Sequence, residues 1–260
     1  MMAETAACPF LAATLTLDGF GAYRAGRALG SPLDLRLMPG TVLGVVGPNG
    51  VGKSSLLGAL AQAGVRSYGR ARFGAQDLAR VPARARAGIV SMLAQDLHAP
   101  EELRVRELVA VGAHASGNQD PLSEAERALS DVGIAELAHQ RFGSLSGGQM
   151  QLTQIARVLA QRTPVVILDE PTSALDLFHQ RVVEQTMRRL GNDGRIVIAA
   201  LHDLSLALNA CTQILLLDRA GDAHSGKPAD VLRPDLVHAA YGVRTTIHTT
   251  PRGRRFLATE

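Results

Sequence analysis

The 260-residue sequence predicts an α/β fold with three parts: a mainly parallel sheet built around a glycine-rich loop, an N-terminal antiparallel β portion, and an inserted helical subdomain. Three observations predict it. The valine-rich run Thr41 to Val46 is short and continuously apolar, as a strand buried on both faces must be. A glycine-rich loop follows it directly, and then a segment with helical spacing from Ser54 to Ala63. Further apolar runs at Val165 to Leu168, Ile196 to Leu201 and Ile214 to Leu217 alternate with helical segments such as Leu177 to Leu190, the pattern of crossover-connected parallel strands.

The elements follow in order. Leu11 to Leu17 alternates loosely and reads as a strand. Leu33, Leu35 and Leu37 alternate with Asp34, Arg36 and Met38 and form a second, with one buried face, and Pro39-Gly40 turns the chain into the apolar Thr41 run. The middle of the chain differs. Glu101 to Ala113, Ser123 to Val132 and Gln149 to Gln161 carry helical periodicity with no strand between them, which places a helical subdomain at residues 96–160. The α/β core is then residues 1–95 and 161–260, and the whole chain is one unit.

Composition is that of a globular protein: 46% hydrophobic, 20% charged and a formal net charge of +3. Mean hydropathy is +0.08 and the isoelectric point is near 9.2. So small a positive excess does not predict a nucleic-acid partner, and the cluster Arg252, Arg254 and Arg255 reads as solvated basic surface. Cys8 and Cys211 lie at no metal-binding or redox spacing, which favours a reducing compartment. The N-terminus has no basic leader, and no apolar run approaches the ~20 residues that span a bilayer.

The loop Gly47-Pro48-Asn49-Gly50-Val51-Gly52-Lys53-Ser54, continued by Ser55, fits G-x-x-x-x-G-K-[ST]. Its glycines let consecutive backbone N–H groups turn inward around an anion at a helix N-terminus. Lys53 supplies charge to the β- and γ-phosphates and the Ser54 hydroxyl can ligate Mg²⁺. The strand Val165 to Leu168 ends in Asp169-Glu170. Asp169, at the carboxyl edge of a parallel sheet, is placed to hold Mg²⁺, and Glu170 to act as general base for an attacking water. ATP and Mg²⁺ are the expected ligands.

Leu145-Ser146-Gly147-Gly148-Gln149, ahead of that strand, resembles the LSGGQ signature of the ATP-binding subunits of ABC transporters. The resemblance covers nearly the whole chain and implies a phosphate-loop NTPase core of the RecA-like kind. It also implies that two copies meet head to tail, the Ser146 to Gln149 signature of one closing on the nucleotide held by the other. In the family's order, Gln95 resembles the glutamine that ligands Mg²⁺ and reports nucleotide state. Asp176, closing Ser173-Ala174-Leu175-Asp176, resembles the loop that contacts the opposite cassette, and His202 resembles the histidine at the γ-phosphate. Phe20 and Tyr23 are the aromatics available to stack on adenine. Two departures stand out: Leu152 occupies a position where the family commonly has arginine, and extra residues lie between Arg24 and Gly30.

Leu175-Asp176-Leu177-Phe178-His179-Gln180, His202-Asp203-Leu204-Ser205 and the Gly226 to Leu232 stretch followed by Tyr241-Gly242 resemble cassettes of ferric-siderophore, heme and cobalamin importers. That resemblance implies two transmembrane permease subunits as partners, a periplasmic substrate-binding protein indirectly, and a peripheral position on the cytoplasmic face of the inner membrane. An exporter or lipid-transport cassette is the alternative. A DNA-repair type ATPase fits less well, because long coiled coils would part the phosphate loop from the signature and none is present here.

Overall fold

The computed structural model describes residues 13–94, 99–173 and 175–259. The chain opens with β1 (Leu15–Arg24), which turns through Ala25-Gly26 into β2 (Arg27–Leu37). The buried β3 (Val42–Val46) leads through the glycine loop into α1 (Lys53–Ala61). Then come β4 (Ser67–Phe73), β5 (Gln76–Asp77), the single turn α2 (Ala83–Arg86) and β6 (Val90–Leu93). Three helices follow: α3 (Val105–Ala115), α4 (Pro121–Asp131) and α5 (Gly147–Ala160). The chain returns through β7 (Val165–Asp169), α6 (Leu177–Asn192), β8 (Ile196–Ala200), α7 (Leu204–Ala210) and β9 (Gln213–Leu217). It closes with β10 (Ala223–Gly226), α8 (Pro228–Val231), α9 (Pro234–Tyr241) and the hairpin β11 (Thr245–Thr249) and β12 (Arg255–Thr259).

The larger sheet has the order β10-β9-β3-β8-β7-β6. Its strands β9, β3, β8, β7 and β6 are parallel, and β10 joins the edge antiparallel. Every residue of β3, β7 and β8 is buried. Because successive side chains point to opposite faces, one strand serves two cores. Val166, Leu168, Val197 and Ala199 join the core shared with α3, α5 and α6. Val165, Ile167, Ile196 and Ile198 join the core beneath α1 and the antiparallel sheet β2-β1-β4-β5.

The helices α3, α4 and α5 pack on one another. Gly112 makes the α3–α5 approach close: a Cβ there would stand 1.9 Å from the Arg157 carbonyl oxygen. Leu152, the apolar departure noted in the signature helix, is fully buried in this core. The C-terminal arginines are not simply solvated. Arg254 pairs with the buried Glu184 at 2.8 Å, and the Arg255 guanidinium donates to the Leu208 carbonyl at 2.9 Å, fastening the β11–β12 hairpin to α6 and α7. Among the described residues no helix is long and apolar enough to cross a membrane.

Candidate functional site

The site forms where three neighbouring strands end. In the order β3-β8-β7, the phosphate loop follows β3, His202 follows β8, and Asp169 closes β7, all at carboxyl ends of parallel strands. The loop is held open by backbone shape. Gly47 has φ +151° and Gly50 has φ +81°, conformations that side-chain-bearing residues rarely adopt. Gly52, at φ +110°, caps α1, so the first helical N–H groups face the cleft.

Lys53 is 5% exposed, and its Nζ donates to the carbonyls of Gly47 at 2.7 Å and Pro48 at 3.2 Å, which fixes the ammonium inside the loop. Burial pulls its pKa below the ordinary lysine value, opposed by the nearby charges of Glu170 and Asp169. Ser54 Oγ donates to Asp169 Oδ1 at 3.0 Å. Asp169 is 3% exposed, and burial raises its pKa against the hydrogen bond from Ser54. A hydroxyl and a carboxylate in contact form a hard oxygen pair. That suits Mg²⁺, which takes one or two protein oxygens and completes its shell with phosphate and water.

Glu170 has φ +50°, a left-handed conformation that costs roughly 1–3 kcal/mol in a residue with a side chain. Pro171 disfavours the right-handed helical region for the residue before it, and Ser173 bonds the Glu170 carbonyl through both its N–H and its Oγ, at 3.2 and 3.1 Å. The backbone so held aims the carboxylate at His202, whose Nε2 lies 2.6 Å from Glu170 Oε1. His202 is set in turn by Asp203, which caps α7 by accepting from the N–H groups of Ser205 at 2.7 Å and Leu206 at 3.1 Å.

The cleft is lined by Asn49, Gly50, Gly52, Lys53, Ser54, Ser55, Glu170 and His202, together with Arg24. Pro48 and Val51 belong to the same loop. Gln95 lies outside the described residues. Ser146, Gly147, Gly148 and Gln149 do not line this cleft. They form a helix start, with Ser146 Oγ accepting from the Gln149 N–H and Gln149 Oε1 accepting from the Ser146 N–H at 3.0 Å. Asp176 likewise caps α6, accepting from the His179 N–H at 2.8 Å, and that bond is the main cause of its lowered pKa.

The adenine-stacking expectation needs correction. Phe20 is 1% exposed in the core beneath the antiparallel sheet, and its ring can reach no ligand. Tyr23 faces away from the cleft residues, edge-on to Tyr68 with ring centroids 5.3 Å apart and with the Arg66 guanidinium 5.4 Å above it. Arg24, which sequence reasoning passed over as part of a length irregularity, is the residue of β1 that reaches the cleft.

The sequence profile of the ABC transporter family matches residues 31–173. A hemin import ATP-binding protein of Pseudomonas fluorescens is 38% identical over 245 residues, covering 91% of this chain and 96% of its own. A cobalamin import ATP-binding protein of Halobacterium salinarum is 33% identical, covering 92% of this chain and 61% of that longer protein. Among solved structures, one described as an inward-facing metal-chelate type ABC transporter superposes with TM-score 0.81 at 24% identity, over 95% of this chain and 98% of the other. The chain belongs to the ABC transporter family, among its ATP-hydrolysing ATP-binding proteins.

Proposed function

We propose that this chain is the energy-coupling ATPase of a heme importer, working as a head-to-tail pair on two transmembrane permease subunits at the cytoplasmic face of the membrane. The similarity to hemin import ATP-binding proteins, above 90% of both chains in Pseudomonas fluorescens and Pseudomonas entomophila, carries the reading. The site supports the chemistry. The loop amides and Lys53 hold the β- and γ-phosphates of ATP. Ser54 and Asp169, with Gln95 completing the set, hold Mg²⁺, which when bound neutralises charge developing on the transferred phosphoryl group.

Glu170 takes the proton of the attacking water at a carboxylate oxygen. His202, in contact with that carboxylate, keeps it oriented and presents its ring to the γ-phosphate. The Ser146 to Gln149 helix start of the second copy supplies anion-binding amides to the same phosphate, so each site is shared between two chains, and Asp176 belongs to the contact between them. A periplasmic substrate-binding protein delivers cargo on the far side of the membrane.

The test is ATPase activity in proteoliposomes holding the chain with its permease. Heme-loaded binding protein is expected to stimulate hydrolysis several-fold over the apo binding protein. Stimulation by cobalamin or a ferric siderophore, with none by heme, would overturn the cargo assignment and leave the ATPase intact.

A further inference from the structure

The phosphate cleft has one wall that the assigned chemistry leaves unused. Its loop, helix and strand-end residues all serve the phosphates, the metal or the water. Arg24 alone, among the described lining residues, comes from the antiparallel sheet. Strand periodicity explains why. In the register of β1 with β2, Ala22 pairs with Leu29, Tyr23 with Ala28 and Arg24 with Arg27. Ala22 and Arg24 therefore share a face, and Tyr23 lies on the other. The shared face is the one that meets the loop: a Cβ on Gly52 would stand 2.9 Å from Leu29 Cδ1. So the arginine is turned towards the loop, while the aromatic beside it is engaged with Tyr68 and Arg66.

We infer that Arg24 holds the nucleotide's base, by stacking its planar guanidinium on the adenine. This rests on the proposed assignment of the cleft to ATP. With the γ-phosphate against Glu170 and His202, the nucleoside is directed to the remaining wall, where Arg24 stands. Arg24 is exposed and enters no ion pair among the described residues, and its neighbour across the hairpin is a second arginine. No phenylalanine or tyrosine lines the cleft among the described residues. A guanidinium plane stacks on nucleobase faces as an aromatic ring does, and stacking of this sort changes affinity by about tenfold when the partner is truncated.

A basic side chain near phosphates has a second possible role, ion pairing with the triphosphate itself, and the two roles separate by ligand and by variant. Dissociation constants for ATP and for inorganic tripolyphosphate are to be measured on the full chain for wild type, R24A, R24K and R24Y. Stacking predicts that R24A and R24K both weaken ATP about tenfold, leave tripolyphosphate within about twofold, and that R24Y recovers ATP affinity, because planarity matters and charge does not. Equal weakening of ATP and tripolyphosphate in R24A, with R24K restoring both, would make Arg24 a phosphate contact and overturn the inference. Unchanged ATP binding in R24A would overturn it as well. If wild type bound neither ligand, the cleft assignment would fail with it. If wild type bound tripolyphosphate no more weakly than ATP, a base contact of any kind would be refuted while the phosphate loop stood.

Discussion

Replacing Gly47 with alanine tests whether the loop's shape is set by contact with the sheet or merely by backbone freedom. Gly50 supplies the control, since both glycines have positive φ, +151° and +81°. At Gly50 an added Cβ meets nothing within 4 Å, so G50A bears only the conformational cost. That is about 1–2 kcal/mol, reduced by about 0.4–1 kcal/mol because alanine restricts the unfolded chain. At Gly47 the added Cβ would stand 2.3 Å from the Leu217 carbonyl oxygen. Leu217 closes β9, and its neighbour Leu216 pairs with Val46, so the obstacle is backbone fixed in the central sheet. Relieving an overlap of nearly 1 Å by bending bond angles by ~15° costs about 4 kcal/mol. G47A should therefore be about 3–4 kcal/mol less stable than G50A. With a urea slope of ~2.5 kcal/mol per molar, that separates the midpoints by more than about 1 M. G47A should also weaken ATP binding, because the Gly47 carbonyl that accepts from Lys53 must move. Midpoints for G47A and G50A within about 0.3 M of each other, at equal slopes, would refute the claim that Leu217 fixes the loop.

Three other predictions test separate parts of the molecule. E170Q should retain ATP binding and lose turnover by about 10²–10⁴-fold, read by phosphate release; activity within threefold of wild type would remove Glu170 from the role of base. Burial pushes the Cys211 thiol up to about 12, so it should stay unalkylated by iodoacetamide at pH 8 in the native protein and react once unfolded, as peptide mass mapping would show. The sign follows: between pH 9 and 12 the unfolded thiol ionises while the folded one keeps its proton, so rising pH should lower wild-type stability relative to C211A by up to roughly 1.4 kcal/mol per unit. Glu184 is 1% exposed and bridges Arg181 and Arg254 at 2.7 and 2.8 Å; E184Q should cost about 1–3 kcal/mol and speed amide exchange in residues 245–259 before any effect on α1.

The phosphate loop and Asp169-Glu170 were legible because each is a local pattern with one structural context. A valine-rich strand, a run of glycines and a helix admit few other arrangements, and Thr41 to Val46 became β3 with its end one residue from Gly47. The aromatic assignment failed for a reason that lies between segments. The register of β1 against β2 shifts twice, between Leu17 and Phe20 and again between Phe20 and Ala22. The face each residue of β1 takes beyond Leu17 is therefore set by pairing with β2, which sequence alone does not show. The start of α3 was misplaced similarly. Glu101 and Glu102 have helical company in sequence, but the helix begins at Val105, after Arg104 enters a bridge with Arg141 some forty positions away. The short strands β4 and β5 and the β11–β12 hairpin were not anticipated. Their arginine-rich alternation hides strand character, and their order depends on partners such as Asp18, which pairs with Arg72 at 2.7 Å.

On the proposed assignment, the charges of the site favour a metal–triphosphate over a simple anion. Lys53 and Asp169 are both buried, and burial works on each towards its neutral form. Each is held by a neutral neighbour: the ammonium by the carbonyls of Gly47 and Pro48, the carboxylate by the Ser54 hydroxyl. A ligand carrying anionic oxygens beside a cation serves both at once. It gives Lys53 a charged acceptor and Asp169 a positive partner, where a bare anion would satisfy the lysine and repel the carboxylate. Glu170 adds to that repulsion, since its charge raises the pKa of Asp169 further. That preference would follow from two buried charges of opposite sign at the ends of two strands one apart in the sheet. It is a property of the sheet's order, which sets only β8 and its His202 between the lysine's strand and the aspartate's.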